Sequence, residues 1–127
     1  MKSRETVIRL KRFQADEKRR QVAQIESMIA EFERMANDLD REIGVEQERA
    51  GIHDPAHFAY PTYAKASIQR RDNLVRSAGE LKTQLADARS VFDEALEDLK
   101  KVEALDERDH DREHASLAGT GPERARA

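Results

Sequence analysis

Apolar residues recur at alternating intervals of three and four positions along two long stretches of this chain. A mean interval of 3.5 residues places them in one narrow stripe on a helix, which is the pattern of a coiled-coil seam rather than of a broad globular face. Between the stretches lie Gly51, Pro55 and Pro61, which end a helix and permit the chain to reverse. The first stripe comprises Val22, Ile25, Ile29, Phe32, Ala36, Leu39 and Ile43, and the second Leu74, Ala78, Leu81, Leu85, Ala88, Phe92, Ala95, Leu99 and Val102.

These features predict an all-α fold, a long two-helix antiparallel coiled-coil hairpin over residues 1–115. The first helix is expected over about 3–50, the turn over about 51–61 and the second helix over about 62–115. The composition agrees, because 39% of the residues are charged and only 5% are aromatic, as is typical of coiled coils. Residues 116–127, with two glycines and a proline, have little to bury and are expected to form a disordered tail.

Two registers bring one stripe against the other in antiparallel order. A longer turn places Ile43 opposite Leu74 and Ala36 opposite Leu81, so that several layers match a large side chain with alanine and keep the packed volume even. A shift of one heptad is the alternative and shortens the turn. We expect the longer turn.

Charge is distributed unevenly along the chain. Residues 1–20 carry eight basic and three acidic side chains, whereas residues 93–113 carry ten acidic and four basic ones. An antiparallel hairpin places these segments side by side at its open end, so opposite charges favour that orientation. Each exposed pair contributes only about 0.2–1 kcal/mol. The acidic segment also cancels the field of the basic one, which disfavours nucleic-acid binding.

Several classes of function are disfavoured by the residues present. No cysteine is available for disulfides or thiolate metal sites, and no apolar run exceeds three residues, so neither a membrane span nor a secretion signal is expected. No phosphate-binding loop or nucleophile motif occurs, so we expect no enzyme and no cofactor. Residues 110–114 match the H-x-x-E-H pattern of zinc peptidases, but a hairpin end offers no third ligand, and we interpret them as a solvated helix end. His53 and His57 flank Pro55, which makes a helical metal-binding pair improbable.

Two groups of residues are candidates for binding other proteins. Phe58, Tyr60 and Tyr63 cluster at the turn, where they either close the end of the seam or form an exposed aromatic patch, and the sequence does not decide between these. The basic first segment has more apolar residues than one seam can use, because Leu10 and Phe13 fall outside the seam phase.

Four segments of the sequence resemble the flagellar export FliJ family, in particular its alphaproteobacterial branch. They are residues 1–14 (MKSRETVIRLKRFQ), 16–22 (DEKRRQV), 54–65 (DPAHFAYPTYAK) and 70–74 (RRDNL). The resemblance covers about residues 1–105. The turn segment is the most specific part, because coiled-coil heptads resemble one another in unrelated proteins.

The resemblance implies a soluble coiled coil of the flagellar type III secretion apparatus, similar to the rotor stalk of rotary ATPases. The hairpin itself is expected to be monomeric alone. Such proteins insert their open end into the pore of the hexameric export ATPase, promote its activity, contact the cytoplasmic domain of the export gate and escort export chaperones. They act in the cytoplasm, peripherally at the inner membrane, in protein export that supports motility and chemotaxis. The alternative is a structural spacer that affects no ATPase.

On this basis we expect two partner-binding surfaces, each made of side chains that one hairpin seam does not require. The expected contacts with the ATPase ring are Arg9, Lys11, Arg12, Phe13 and Arg20, and the expected contacts with the gate or a chaperone are Phe58, Tyr60 and Tyr63.

Overall fold

Two long helices make up the fold. The computed structural model describes the backbone of residues 2–126 and the side chains of residues 3–117. Helix α1 spans Lys2–Ala50 and helix α2 spans Thr62–Arg126, with residues 51–61 connecting them. No strand occurs between residues 2 and 126. The predicted all-α helical hairpin is therefore confirmed, and α1 ends immediately before Gly51, where the sequence analysis placed its end.

The chain divides into two compact units, which we call the turn unit (residues 21–88) and the terminal unit (residues 1–20 and 89–127). In the turn unit, every buried residue of α1 belongs to the predicted first stripe. The buried residues of α2 in this unit lie on one face of that helix. Ile25, Phe32, Leu74 and Ala88 of the predicted stripes are half-buried. The buried residues of the turn unit are Val22, Ile29, Ala36, Leu39, Ile43, Tyr60, Ala64, Ser67, Ala78, Leu81 and Leu85.

Polar contacts between the helices of the turn unit show that they run antiparallel. Arg71 donates a hydrogen bond to Asp40 at 2.7 Å, and Lys82 lies 3.4 Å from a carboxylate oxygen of Glu33. A later residue of α1 thus pairs with an earlier residue of α2. The hydrogen bond to Asp40 raises the pKa of the Arg71 guanidinium above its ordinary value, with Asp72 adding to the effect and partial burial opposing it.

The register near the turn differs from the expected one. Tyr63 donates a hydrogen bond to Glu42 at 3.0 Å. In the longer-turn register Val75 would lie opposite Glu42, twelve positions or about 18 Å along the axis from Tyr63, which is too far for these side chains to meet. In the shorter-turn register the offset is five positions, about 7.5 Å, which the side chains can span. The preference for the longer turn is therefore wrong at this end.

The terminal unit is packed more thinly than the turn unit. Among the side chains described in it, only Ile8 and Ala15 are buried. Lys11 and Lys18 occupy the same stripe and are half-buried. The α2 residues predicted in the seam here are also only half-buried: Phe92, Ala95, Leu99 and Val102.

Ion pairs join the two helices within the terminal unit. Arg4 lies 3.3 Å from Asp106 and 3.3 Å from Asp109, and Arg12 lies 3.1 Å from Glu103. These contacts again pair later residues of α1 with earlier residues of α2. The opposite charges of the two segments face each other, as the charge distribution predicts.

The second helix continues beyond the predicted end at about residue 115, since α2 has the bounds Thr62–Arg126. Ser116 and Leu117, which were expected in the disordered tail, are helical. From residue 118 onwards, the tail expected to be disordered lies outside the residues whose side chains are described, and its disorder remains a prediction.

The burial pattern leads to a stability prediction. Ile43 is 4% exposed in the turn unit, so Ile43→Ala should lower the free energy of unfolding by about 2–4 kcal/mol through lost burial and an unfilled cavity. Val75→Ala provides a matched control, because Val75 is largely exposed and its truncation should change stability by less than about 0.5 kcal/mol. Chemical denaturation followed by circular dichroism measures both, and equal losses would contradict the assigned seam.

Candidate protein-interaction surfaces

Three residues of the terminal unit form an outward surface on α1. Arg9, Phe13 and Arg20 are spaced by four and seven positions, which places them on one side of the helix, away from the stripe of Ile8 and Ala15. Phe13 is 56% exposed, and neither arginine pairs with a carboxylate in the part of the chain that the structure describes. We call these three residues the basic face.

The other two residues expected to contact the ATPase are placed differently. Lys11 is half-buried in the seam stripe. The Arg12 guanidinium donates a hydrogen bond to the carboxylate of Glu103 on α2. Both side chains therefore contribute to how the helices pair within the terminal unit. Of the five residues predicted as one contact surface, Arg9, Phe13 and Arg20 lie on one exposed side of α1. Lys11 and Arg12 lie outside this surface.

The terminal unit leaves two further apolar side chains of α1 largely exposed. Leu10 and Val7, three and six positions before Phe13, are about half-exposed. Val7 also lines a shallow groove with Val102 and Leu105, and Arg4 and Asp109 line the same groove. Burying one large apolar side chain contributes about 1.5–3 kcal/mol. Contact with a partner would therefore bury apolar surface that the terminal unit itself leaves exposed.

A glycine-based cap ends α1 in the turn unit. The Gly51 N–H donates to the Glu48 carbonyl and the Ile52 N–H donates to the Gln47 carbonyl, both at 3.3 Å. This pair of bonds is the Schellman motif, and it requires a left-handed residue, which Gly51 supplies with φ of 67°. The cap satisfies carbonyls that the end of a helix otherwise leaves without a partner.

Two consecutive tight turns follow this cap, and both use the same pattern of bonds. The Asp54 carboxylate accepts the Ala56 N–H at 2.9 Å while the Asp54 carbonyl accepts the His57 N–H at 3.0 Å. The His57 Nδ1 atom then accepts the Ala59 N–H, and the His57 carbonyl accepts the Tyr60 N–H, both at 3.0 Å. Side-chain and main-chain acceptors therefore fix the backbone from Asp54 to Tyr60.

The three aromatic residues of the turn have three different environments. Tyr60 is 7% exposed, and its hydroxyl accepts a hydrogen bond from the Gln47 Nε2 atom at 2.9 Å. Tyr63 is half-exposed and bonded to Glu42. Phe58 is 96% exposed and stacks on the His57 ring with centroids 4.7 Å apart. The sequence left packing and exposure as alternatives; the structure assigns packing to Tyr60 and exposure to Phe58.

The structure also places the histidines that the sequence analysis considered as metal ligands. His53, His57, His110 and His114 are all exposed. Among the side chains described, no group of three or more histidine, aspartate or glutamate residues is arranged to hold a metal ion. Within the same part of the chain, neither helix contains a segment long and apolar enough to cross a membrane.

Searches against protein-family models, curated proteins and solved structures gave no match to this chain. Functional assignment therefore depends on the sequence resemblance together with the surfaces described above.

The helix cap predicts opposite effects of two glycine substitutions. Gly51→Ala should destabilise the protein by about 1 kcal/mol, because alanine resists the left-handed conformation even though nothing lies within 4 Å of the new Cβ atom. Gly44→Ala, inside α1 and equally open, should instead stabilise it by about 0.5–1 kcal/mol through helix propensity. Thermal unfolding separates them, and stabilisation by both substitutions would contradict the cap.

The buried tyrosine provides a second test at the turn. Tyr60→Phe removes the hydroxyl that accepts from Gln47 and should cost about 0.5–1.5 kcal/mol of unfolding free energy. Tyr63→Phe removes a hydroxyl of a half-exposed side chain and should cost less than about 0.5 kcal/mol. Denaturation midpoints measured under one condition compare the two. A larger loss for Tyr63→Phe would show that the roles of the two tyrosines are reversed.

Proposed function

We propose that this protein is a coiled-coil component of the flagellar type III export apparatus, which binds the hexameric export ATPase through its terminal unit and promotes ATP hydrolysis. The resemblance of residues 1–14 and 54–65 to the FliJ family supports this proposal. The all-helical hairpin agrees with it, because the family is expected to form an antiparallel coiled coil.

The basic face is the observation on which the proposal depends most. It combines an exposed aromatic ring with two arginines that have no carboxylate partner among the described residues. Aromatic and arginine side chains are enriched at the centres of protein interfaces, where they account for much of the binding energy. The complementary surface on the ATPase is an apolar site bordered by carboxylates. Lys11 and Arg12 do not belong to the basic face, because Lys11 lies in the seam stripe and Arg12 pairs with Glu103 of α2.

The turn unit supplies a second surface within the same proposal. Phe58 and Tyr63 are exposed there, and we assign to them the contact with the cytoplasmic domain of the export gate or with export chaperones. Two surfaces in different units permit one chain to bind two partners. The proposed place of action is the cytoplasm, at the base of the flagellum near the inner membrane.

Substitution of the whole basic face tests the ATPase contact. The variant Arg9→Ala/Phe13→Ala/Arg20→Ala should weaken binding to the purified cognate export ATPase at least tenfold and remove most of the stimulation of ATP turnover. The reason is that it deletes an aromatic and two arginine contacts, the residue types enriched among those that dominate binding energy, and a combined loss of about 1.4 kcal/mol is tenfold in affinity. Affinity and ATP turnover are measured with the intact protein, and circular dichroism verifies the fold.

A matched control lies on α1 of the turn unit. The variant Arg34→Ala/Met35→Ala/Arg41→Ala also removes two exposed arginines and one exposed apolar residue, and it should stimulate the ATPase as the unsubstituted protein does. Stimulation that survives loss of the basic face would contradict the assigned contact. If the unsubstituted protein neither binds nor stimulates the ATPase, the structural spacer becomes the better interpretation.

A further inference from the structure

We infer that one side of the turn unit binds a basic amphipathic α-helix of a partner protein. Met28 and Met35 of α1 border this side, and they are 46% and 43% exposed. They lie seven positions apart, which places both on the same side of the helix. The inference concerns residues 21–88 and holds whether or not the terminal unit binds the ATPase.

The seam of the turn unit has two flanks, which are defined by their position relative to the buried residues. On α1, Met28 directly precedes the buried Ile29, and Glu33 follows Ile29 by four positions. Five positions correspond to a rotation of about 140° around the helix, so Met28 and Glu33 lie on opposite sides of the seam. Met35 directly precedes the buried Ala36 and therefore lies on the same flank as Met28.

The same relation holds on α2, where Ser77 directly precedes the buried Ala78 and Lys82 follows Ala78 by four positions. The Lys82 amine lies 3.4 Å from a carboxylate oxygen of Glu33. The flanks that carry these charges therefore face each other on one side of the seam. The two flanks that lack them adjoin each other on the other side.

A hydrogen bond between the helices confirms the placement of the second pair of flanks. Tyr63 donates to Glu42 at 3.0 Å, and each of these residues directly precedes a buried one. We call this side of the seam the methionine flank. Over residues 28–35 of α1 and 77–84 of α2 it consists of Met28, Met35, Ser77 and Gln84. None of these four side chains is charged.

The methionine flank widens the apolar face of α1 beyond what the seam requires. Ile25 and Phe32 of the predicted stripe are only half-buried. Met28 and Met35 alternate with them at intervals of three and four positions, so the four side chains form a partly exposed apolar strip along α1. Methionine is flexible and polarisable, and it is common at surfaces that bind other proteins. A partner whose apolar residues follow the same intervals is itself an α-helix.

Carboxylates border the methionine flank on both helices and indicate the charge of the partner. An acidic residue follows each member of the flank by three positions and lies farther from the seam. These acidic residues are Glu31, Asp38, Glu80 and Asp87. The two on α1 form ion pairs with Arg34 and Arg41, whereas the two on α2 have no basic partner among the described residues. The complementary helix carries lysine or arginine beside its apolar residues.

The acidic border also decides against the other occupants of such a surface. A second copy of this chain, bound through the same side, would place like charges opposite one another, which is unfavourable. Anionic membranes and nucleic acids require basic side chains, and neither the methionine flank nor its acidic border contains one. A basic amphipathic helix is the occupant that satisfies both the apolar strip and the charge of its border.

Binding of a synthetic peptide to the full chain tests this inference. The peptide has about three heptads, with leucine at the two seam positions and lysine at the positions beside them. A control peptide has glutamate in place of every lysine. Fluorescence anisotropy of the labelled peptides measures affinity for the unsubstituted protein and for the variants Met28→Gln/Met35→Gln, Glu80→Gln/Asp87→Asn and Val75→Gln. Val75 is the matched control, because it is exposed on the opposite flank, seven positions before Lys82.

The expected result is that the basic peptide binds the unsubstituted protein at least about tenfold more tightly than the acidic peptide does. Met28→Gln/Met35→Gln should weaken binding of the basic peptide about tenfold or more, because glutamine keeps the helix propensity and removes the apolar group. Glu80→Gln/Asp87→Asn should weaken it about threefold, with a smaller effect at high salt. Val75→Gln should leave it within about twofold, and circular dichroism verifies the fold of each variant.

Three outcomes would each overturn the inference. They are equal affinity for the two peptides, unchanged affinity of Met28→Gln/Met35→Gln for the basic peptide, and no binding of the basic peptide by the unsubstituted protein. An equal loss of affinity in Val75→Gln and in the methionine variant would overturn the assigned flank as well.

Discussion

Burial of one narrow stripe of side chains is the constraint on which the rest of this structure depends. The stripe of α1 recurs every seven residues, and in each unit its members lie against α2 residues of the same periodicity. A seam this narrow leaves most of each helix exposed. Charged residues occupy most of that exposed surface, so the few large apolar residues on it stand out as candidates for contact. The seven-residue repeat of buried α1 residues comprises Ile8, Ala15, Val22, Ile29, Ala36 and Ile43.

Different residues fill the seam in the two units, and this difference explains their different packing. The seam of α1 also includes the position three residues after each member of the seven-residue repeat. Leu39 fills it in the turn unit, whereas Lys11 and Lys18 fill it in the terminal unit, and their charged ends must remain hydrated. A lysine in such a position reduces the stability of the pairing and limits the choice of partner helices. The terminal unit therefore depends more on ion pairs such as Arg4 with Asp106, each of which contributes little in water.

Much of the fold could be predicted from the sequence because periodicity and helix-breaking residues are local signals. The end of α1 followed from Gly51, and the buried α1 residues of the turn unit followed from spacing. The buried Ala64 and Ser67 of α2 lie outside the predicted stripes. The register near the turn did not follow from spacing, because it depends on how the two helices pack against each other. The bond from Tyr63 to Glu42 reveals that register, and no local pattern encodes it. Likewise, Arg71 lies in the phase of the seam but is held by Asp40, a long-range pair that spacing does not reveal.

The candidate surfaces were only partly predictable for the same reason. Sequence spacing alone places Arg9, Phe13 and Arg20 on one side of a helix, although the sequence analysis grouped them with Lys11 and Arg12. The separation of Phe58 from Tyr60 could not be obtained in this way, since both residues lie in an irregular segment. Their difference depends on two successive turns and on Gln47, which bonds to the Tyr60 hydroxyl from thirteen residues away.

The antiparallel ion pairs of the terminal unit also have a consequence for synthesis on the ribosome. Arg12 is separated from Glu103 by 91 residues and Arg4 from Asp106 by 102. Arg4 and Arg12 are therefore synthesised long before their partners on α2, whereas the turn closes between residues that are close in the sequence. Until residues 103–106 have been synthesised, Arg4, Arg12 and the exposed Leu10 and Phe13 are available to chaperones or to an early binding partner.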